Sequence, residues 1–194
     1  MRNKKTFLVL VLAFVLLLVG ASILYTRLSD GENPGQLAVQ NTKPASQETQ
    51  PEATEEKKYP APDFAVYDAQ GNQVRLSDYF GKPIVLNFWA SWCGPCKMEM
   101  PDFQEKYLEL GEEVTFLMVN MTDGRETQTA AQAFIEQQGF TFPVLFDLNS
   151  NAAMIYRVYS LPTTYFISAQ GELIAQATGA ISGETLQKGI DMIR

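Results

Sequence analysis

Histidine is absent from the chain, and cysteine occurs only twice, as Cys93 and Cys96. Without histidine, neither a Ser–His–Asp triad nor a Cys–His nucleophile can be built, and most zinc, copper and haem ligand sets are excluded. Two cysteines supply at most half of a tetrahedral metal site. We therefore expect the two thiols to act as a pair, with no metal bound.

Positive charge is also scarce. The chain has 15 Lys and Arg against 22 Asp and Glu, a formal net charge of −7. Between residues 61 and 194 the imbalance grows to 16 acidic and 8 basic side chains. Because phosphate binding needs clustered Lys and Arg, we expect no nucleic-acid partner.

A long apolar run occurs once, between Thr6 and Tyr25, and contains no charged residue. A helix of this length extends about 30 Å, enough to cross the hydrocarbon core of a bilayer. The basic residues before it predict that residues 1–5 are cytoplasmic and that the rest of the chain lies outside. A signal peptide cleaved near Ala21 is the alternative. The apolar residues after that point favour an uncleaved signal anchor at 6–25.

Residues 26–60 change in composition and are rich in Gln, Thr, Glu, Pro, Ser and Asn, with few large apolar side chains. Such a segment buries too little apolar surface to offset the entropy of ordering it. The composition predicts a flexible linker that joins the anchor to a folded domain at 61–194.

The domain shows strand and helix patterns in alternation. In order, the pattern predicts a β-hairpin at 64–67 and 73–76, strand 84–89, helix 95–110, strand 114–119, helix 126–138, strand 140–146, helix 152–159, a second hairpin at 163–167 and 172–178, and a closing helix capped by Ser182. This order is typical of an α/β sheet that is parallel in the middle and antiparallel at its edges.

The two cysteines lie in the sequence WCGPCK at 92–97, where the strand 84–89 ends and a helix begins. Unpaired N–H groups and the helix dipole lower the pKa of a thiol at such a helix N-terminus. Cys93 is therefore expected to be exposed and to attack a disulfide, and Cys96, one turn later, to resolve the mixed disulfide. Pro95 suits the first helical turn, and Trp92 offers a contact surface for a substrate chain.

Two other roles for the cysteine pair are less consistent with the sequence. A purely structural disulfide would close a very short loop and would stabilise the fold little. A zinc site would need two further ligands, which the chain lacks. A redox-active disulfide between Cys93 and Cys96 therefore takes the place of a cofactor.

The WCGPCK sequence followed by Pro101 resembles the active site of thioredoxins. The APDF sequence at 61–64, the LNFW sequence at 86–89 and the additional helix and strand at 126–146 resemble the TlpA/ResA-like branch of that superfamily. The resemblance covers essentially all of 61–194. It implies a thioredoxin-like fold with a central mixed sheet flanked by helices, an N-terminal β-hairpin and an extra helix–strand insertion, preceded by one transmembrane helix.

The resemblance also implies roles for individual residues. Leu161 and Pro162 match the family's cis-proline element, in which the backbone of Leu161 would pair with a substrate strand. Asn87 stands where thioredoxin has a buried aspartate, and it cannot accept a proton at neutral pH. Glu99 matches a glutamate close to the cysteines, where partial burial would raise its pKa and let it exchange protons. A solvated helix charge is the alternative reading of Glu99.

The function implied is that of a thiol–disulfide oxidoreductase in the bacterial cell membrane, with its catalytic domain outside the cytoplasm. It would reduce disulfides in exported proteins, for example apocytochrome c during cytochrome c maturation, with electrons from a CcdA/DsbD-like membrane thiol donor. The dipeptide between the cysteines, Gly94 and Pro95, resembles the one found in reducing thioredoxins. A disulfide-forming oxidase or isomerase, which would share the machinery and differ in redox poise, is the main alternative.

Two further alternatives are weaker. A peroxiredoxin-like peroxidase would need Thr or Ser three residues before its reactive cysteine, and position 90 is alanine. A metal chaperone of the Sco type would need a wider cysteine spacing and a histidine, and the sequence has neither.

Overall fold

The computed structural model describes residues 14, 16–19, 35–39 and 59–194, which fall into two units, 1–33 and 34–194. In the smaller unit, Phe14 and residues 16–19 are helical and exposed. No helix within the described ranges has both the length and the apolar character that are needed to cross a bilayer. Residues 1–5 and most of the predicted anchor at 6–25 lie outside the described residues.

The larger unit contains an eight-stranded sheet with the order β1-β8-β7-β4-β5-β6-β2-β3. The strands are β1 (Leu37–Val39), β2 (Ala65–Tyr67), β3 (Gln73–Arg75), β4 (Ile84–Trp89), β5 (Thr115–Asn120), β6 (Val144–Phe146), β7 (Thr163–Ile167) and β8 (Leu173–Thr178). The central strands β4, β5 and β6 are parallel, and the other pairs are antiparallel. This arrangement confirms the predicted mixed sheet.

The helices of this unit are α1 (Gly94–Leu110), α2 (Gln128–Gln138), α3 (Asn151–Ile155) and α4 (Gly183–Ile193), with a 3₁₀ turn at Leu76–Tyr79. The side chain of Thr127 accepts a hydrogen bond from the third residue of α2, and that of Ser182 does the same for α4. The predicted cap at Ser182 is therefore confirmed. Gly139 ends α2 in the left-handed conformation, with φ of 69°.

Alternate residues of β4 enter two separate hydrophobic clusters. Val85 and Trp89 pack in one cluster, with residues of α1 and α4, while Ile84, Leu86 and Phe88 pack in the other. Since successive strand residues point to opposite faces of a sheet, Asn87 lies on the same face as Val85 and Trp89. The polar side chain of Asn87 is thereby turned toward α1, the helix that carries Cys96.

The structure corrects several boundaries, among them the end of the helix predicted at 152–159, which stops at Ile155. Residues 37–39 pair with β8, and the carbonyl of Tyr59 accepts a hydrogen bond from Leu173, at 2.7 Å. For these parts of 26–60 the linker prediction is wrong, and the remaining linker residues lie outside those described. The strand predicted at 140–146 comprises only Val144–Phe146, because Pro143 has no N–H to donate to a strand ladder.

Candidate active site

The carboxyl ends of the parallel strands meet at one edge of the sheet, and the cysteine loop follows β4 at that edge. Strand β7 is antiparallel to β4, with Phe88 opposite Thr163. Pro162 comes directly before Thr163, so it lies at the same edge as the cysteines. The topology therefore brings together two sequence elements that are about 70 residues apart.

Cys93 and Cys96 form a disulfide, with their Cα atoms 5.3 Å apart. Cys93 is the N-cap of α1, and its sulfur accepts a hydrogen bond from the backbone N–H of Cys96, at 3.2 Å. Cys93 is only 4% exposed, so the expectation of an exposed sulfur is wrong for this oxidised form. It is still the more accessible of the two, because Cys96 is fully buried at 0% exposure.

The surface around the disulfide is formed by Trp92, Gly94 and Pro95, which are all exposed. A Cβ atom at Gly94 would meet no atom within 4 Å, so the dipeptide between the cysteines is open to an approaching chain. The guanidinium of Arg125 lies 3.8 Å from the centre of the Trp92 ring, a cation–π contact that the sequence analysis did not identify.

The peptide bond between Leu161 and Pro162 is cis, which confirms the prediction. Pro162 is buried, and its carbonyl accepts a hydrogen bond from the N–H of Gly179, at 2.8 Å. Leu161 is half-buried and packs against the cluster that contains both cysteines.

Glu99 is buried, at 2% exposure, three residues after Cys96 and on the same face of α1. One carboxylate oxygen accepts a hydrogen bond from the Asn87 side chain at 2.9 Å, and the other accepts one from the N–H of Ile181 at 3.0 Å. Burial raises the pKa of Glu99 to about 7; the two hydrogen bonds oppose this effect, and the nearby Asp102 carboxylate adds to it. The expected burial is confirmed, and the reading of Glu99 as a solvated helix charge is wrong.

Asn87 orients the Glu99 carboxyl group. Its Nδ2 atom donates to Glu99 and, at 3.0 Å, to the hydroxyl of Thr164 on the neighbouring strand. Its Oδ1 atom accepts no hydrogen bond from the described residues. Asn87 therefore has a definite place in the site although it cannot carry a proton itself.

Glu126 is a buried residue of the site that the sequence analysis treated only as a helix start. At 4% exposure, its carboxylate accepts hydrogen bonds from the backbone N–H and the hydroxyl of Ser91, just before the cysteines. It also accepts one from the N–H of Thr127, at 3.2 Å. Glu126 thus ties the cysteine loop to the segment that leads into α2. The two partners are 35 residues apart in sequence, and no local pattern indicates such a contact.

The arrangement offers a dithiol–disulfide pair and one buried carboxyl group of raised pKa. Among the residues that the structure describes, no group of three or more His, Cys, Asp or Glu side chains is placed to hold a metal ion. The chemistry these side chains themselves can perform is thiol–disulfide exchange coupled to proton transfer.

Comparisons with known proteins agree with this geometry. The chain matches the AhpC/TSA family over residues 58–176. It is 38% identical to the thiol-disulfide oxidoreductase ResA of Geobacillus kaustophilus over 135 residues, which are 69% of this chain and 76% of that protein. The crystal structure of StoA from Bacillus subtilis is similar, with 28% identity, a TM-score of 0.58, and coverage of 69% of this chain and 98% of that one.

A DsbF homologue from Corynebacterium diphtheriae is also similar in structure, with 28% identity, a TM-score of 0.62, and coverage of 75% of this chain and 98% of that one. The family match extends over more than half of the chain and includes the cysteine pair. The chain therefore belongs to the AhpC/TSA family and, within it, to the ResA-like thiol–disulfide oxidoreductases with a thioredoxin fold.

Proposed function

We propose that this oxidoreductase works outside the cytoplasm, anchored in the bacterial cell membrane by residues 6–25, and reduces disulfides in exported proteins. The observation that carries the exchange chemistry of this proposal is Glu99, a buried carboxyl with a pKa of about 7, one helical turn after Cys96 and on the same face. At neutral pH such a group can accept the proton that a buried resolving thiol must lose before it attacks.

In the first step, the Cys93 thiolate attacks one sulfur of a substrate disulfide. A mixed disulfide forms between Cys93 and the substrate, and the other substrate sulfur leaves as a thiolate and takes up a proton. The position of Cys93 at the N-terminus of α1 favours its thiolate, because the helix dipole and unpaired N–H groups stabilise negative charge there.

In the second step, the thiol of Cys96 passes its proton to the Glu99 carboxylate and attacks the Cys93 sulfur. The Cys93–Cys96 disulfide forms, and the second substrate sulfur leaves as a thiolate and is protonated. Two electrons have then passed from the dithiol to the substrate. No cofactor besides the disulfide is required in this scheme, and a membrane dithiol of the CcdA/DsbD type would return the enzyme to its reduced state.

Substrates would be oxidised exported polypeptides, with apocytochrome c as the example that the family resemblance suggests. The exposed Trp92, Gly94 and Pro95 offer a contact surface beside the sulfurs. The backbone of Leu161 would pair with an extended substrate segment and orient its disulfide.

The attack step is tested by trapping the mixed disulfide between Cys93 and its substrate. The Cys96→Ser variant of the full-length chain, expressed in a bacterial host, should accumulate mixed disulfides with exported proteins, since the resolving thiol is missing. The matched control, Cys93→Ser, should accumulate none or far fewer. Because the chain has only these two cysteines, every adduct of the first variant is at Cys93. Equal trapping by both variants, or none by either, contradicts the assignment.

The direction of electron transfer and the cellular compartment of the domain need separate measurements. Equilibration of the full-length protein in defined thiol buffers gives the midpoint potential, and a value as oxidising as that of disulfide-forming enzymes would overturn the reductase proposal. Labelling of intact cells with a membrane-impermeant maleimide, after reduction, shows whether the cysteine thiols lie outside the membrane. A Cys93 thiol that reacts only after lysis would contradict the extracytoplasmic location.

A further inference from the structure

We propose that β1 and the residues just before it form a positioning element of the redox site, in which Gly35 braces the loop Gly179–Ile181 that holds Glu99. These residues precede the predicted domain boundary at residue 61, and the role given to them rests on the proposed function of Glu99.

The position of β1 at the sheet edge is the first observation. It pairs antiparallel with β8, with Leu37 opposite Ala177, so its N-terminal end lies beside the C-terminal end of β8. Thr178, at that end of β8, is opposite Thr163, the residue after Pro162. The chain that leads into β1 therefore lies at the same end of the strands as the active site.

The contact at Gly35 is the second observation. Its N–H donates to the carbonyl of Thr178 at 2.7 Å, and its φ of 85° is one that favours glycine. A Cβ atom at this position would lie 2.6 Å from the carbonyl oxygen of Ala180. The backbone of Gly35 thus rests directly on the backbone of the loop, and no other residue fits there without moving one of them.

The loop itself connects the main parts of the site. On one side of Ala180, the N–H of Gly179 donates to the carbonyl of Pro162 at 2.8 Å. On the other side, the N–H of Ile181 donates to the Glu99 carboxylate at 3.0 Å. A displacement of Ala180 would therefore weaken the hydrogen bond from the N–H of Ile181 to Glu99. The Glu99 carboxylate would then keep only the hydrogen bond from the side chain of Asn87 among the described residues.

The direction of the pKa change depends on which form of the Glu99 carboxyl group the hydrogen bond from Ile181 stabilises. The Ile181 N–H stabilises the ionised carboxylate, so its loss raises the pKa of Glu99 further. The nearby Asp102 carboxylate acts in the same direction. We expect a rise of about one pH unit, which is about tenfold in proton affinity.

The experiment uses the full-length oxidised protein in mild detergent, with the Glu99 carboxyl followed by ¹³C NMR as a function of pH. The Gly35→Ala variant should shift the titration upward by about one pH unit. The matched control is Gly71→Ala, at a φ of 84° with no atom within 4 Å of the added Cβ, in the turn between β2 and β3 at the opposite side of the sheet. It introduces the same backbone strain and should leave the titration unchanged.

A second variant covers the case in which Gly35→Ala does not fold. Replacement of the strand residues by Leu37→Ser, Ala38→Gly and Val39→Ser keeps the chain length and removes the strand, and it should give the same upward shift. Titrations equal to wild type in the folded variants overturn the inference. Failure of both variants to fold also overturns it, because β1 would then be a general stabilising element. Loss of disulfide exchange in the wild-type protein would instead count against the proposed function, because the titration does not depend on turnover.

Discussion

Glu99→Gln gives the most direct test of the buried carboxyl group, because the amide matches the carboxylate in shape and does not titrate. One polar atom can still accept the N–H of Ile181. The other becomes a donor that faces Asn87, whose Oδ1 atom accepts no hydrogen bond from the described residues and can turn to meet it. The substitution therefore removes the charge with little disturbance of packing.

The size of the change in unfolding free energy follows from the pKa of Glu99 in the unfolded chain and in the folded protein. Burial raises the pKa of Glu99 from 4.5 to about 7, so between these values the folded protein holds a proton that the unfolded chain releases. The free energy of unfolding therefore falls as the pH rises through this interval. At about 1.4 kcal/mol for each pH unit, the loss amounts to about 3 kcal/mol, complete near pH 7. Relative to Glu99→Gln, the wild type should thus become less stable between pH 4.5 and 7.

The assay is urea unfolding of the oxidised protein at intervals from pH 4.5 to 8. With the disulfide intact the cysteines do not titrate, and the chain has no histidine. The other carboxyl groups, including Asp147 with its raised pKa, are present in both proteins and cancel in the difference. The control is Glu105→Gln, an exposed carboxylate on the same helix, which should follow the wild-type profile. A constant difference between wild type and Glu99→Gln across the whole pH range would refute the reasoning.

Two more predictions concern packing around the site, and both are measured by urea unfolding at pH 7. Glu126→Ala leaves the N–H of Ser91 without its acceptor and should cost about 1–3 kcal/mol, whereas the exposed control Glu112→Ala should change stability by less than about 0.5 kcal/mol. An equal effect of the two substitutions would contradict the role of Glu126. Gly189→Ala places a Cβ atom 2.2 Å from the ring of Phe166, so a clash worth about 1–3 kcal/mol should outweigh the gain of about 0.5–1 kcal/mol in helix propensity. A variant as stable as wild type would show that the helix can shift to make room.

The parts of the fold that could be predicted carry strong local signals. Strand 84–89 is a continuous apolar run, and its predicted bounds are those of β4. The cysteine pair stands at a strand–helix junction, and Ser182 precedes an amphipathic segment, so both helix starts were correct to within a residue. The family resemblance added the cis peptide bond before Pro162, which composition and periodicity alone do not indicate.

The features that were missed depend on contacts between distant residues. Strand β1 has three residues and lies in a polar segment, so it gives no periodic signal, and its partner strand β8 is more than 130 residues away. The N–H of Ile181 meets Glu99 across 82 residues, and Glu126 meets Ser91 across 35. Such pairs arise from how the strands order themselves in the sheet, which single-residue patterns do not specify.

Gly35 is the first described residue of the larger unit, and the chain that precedes it includes the predicted anchor. A load applied to that preceding chain reaches the molecule at Gly35 and the Ala180 carbonyl before it reaches the hydrophobic clusters. A force on that chain would therefore act first on the loop Gly179–Ile181, in which the N–H of Ile181 donates to Glu99.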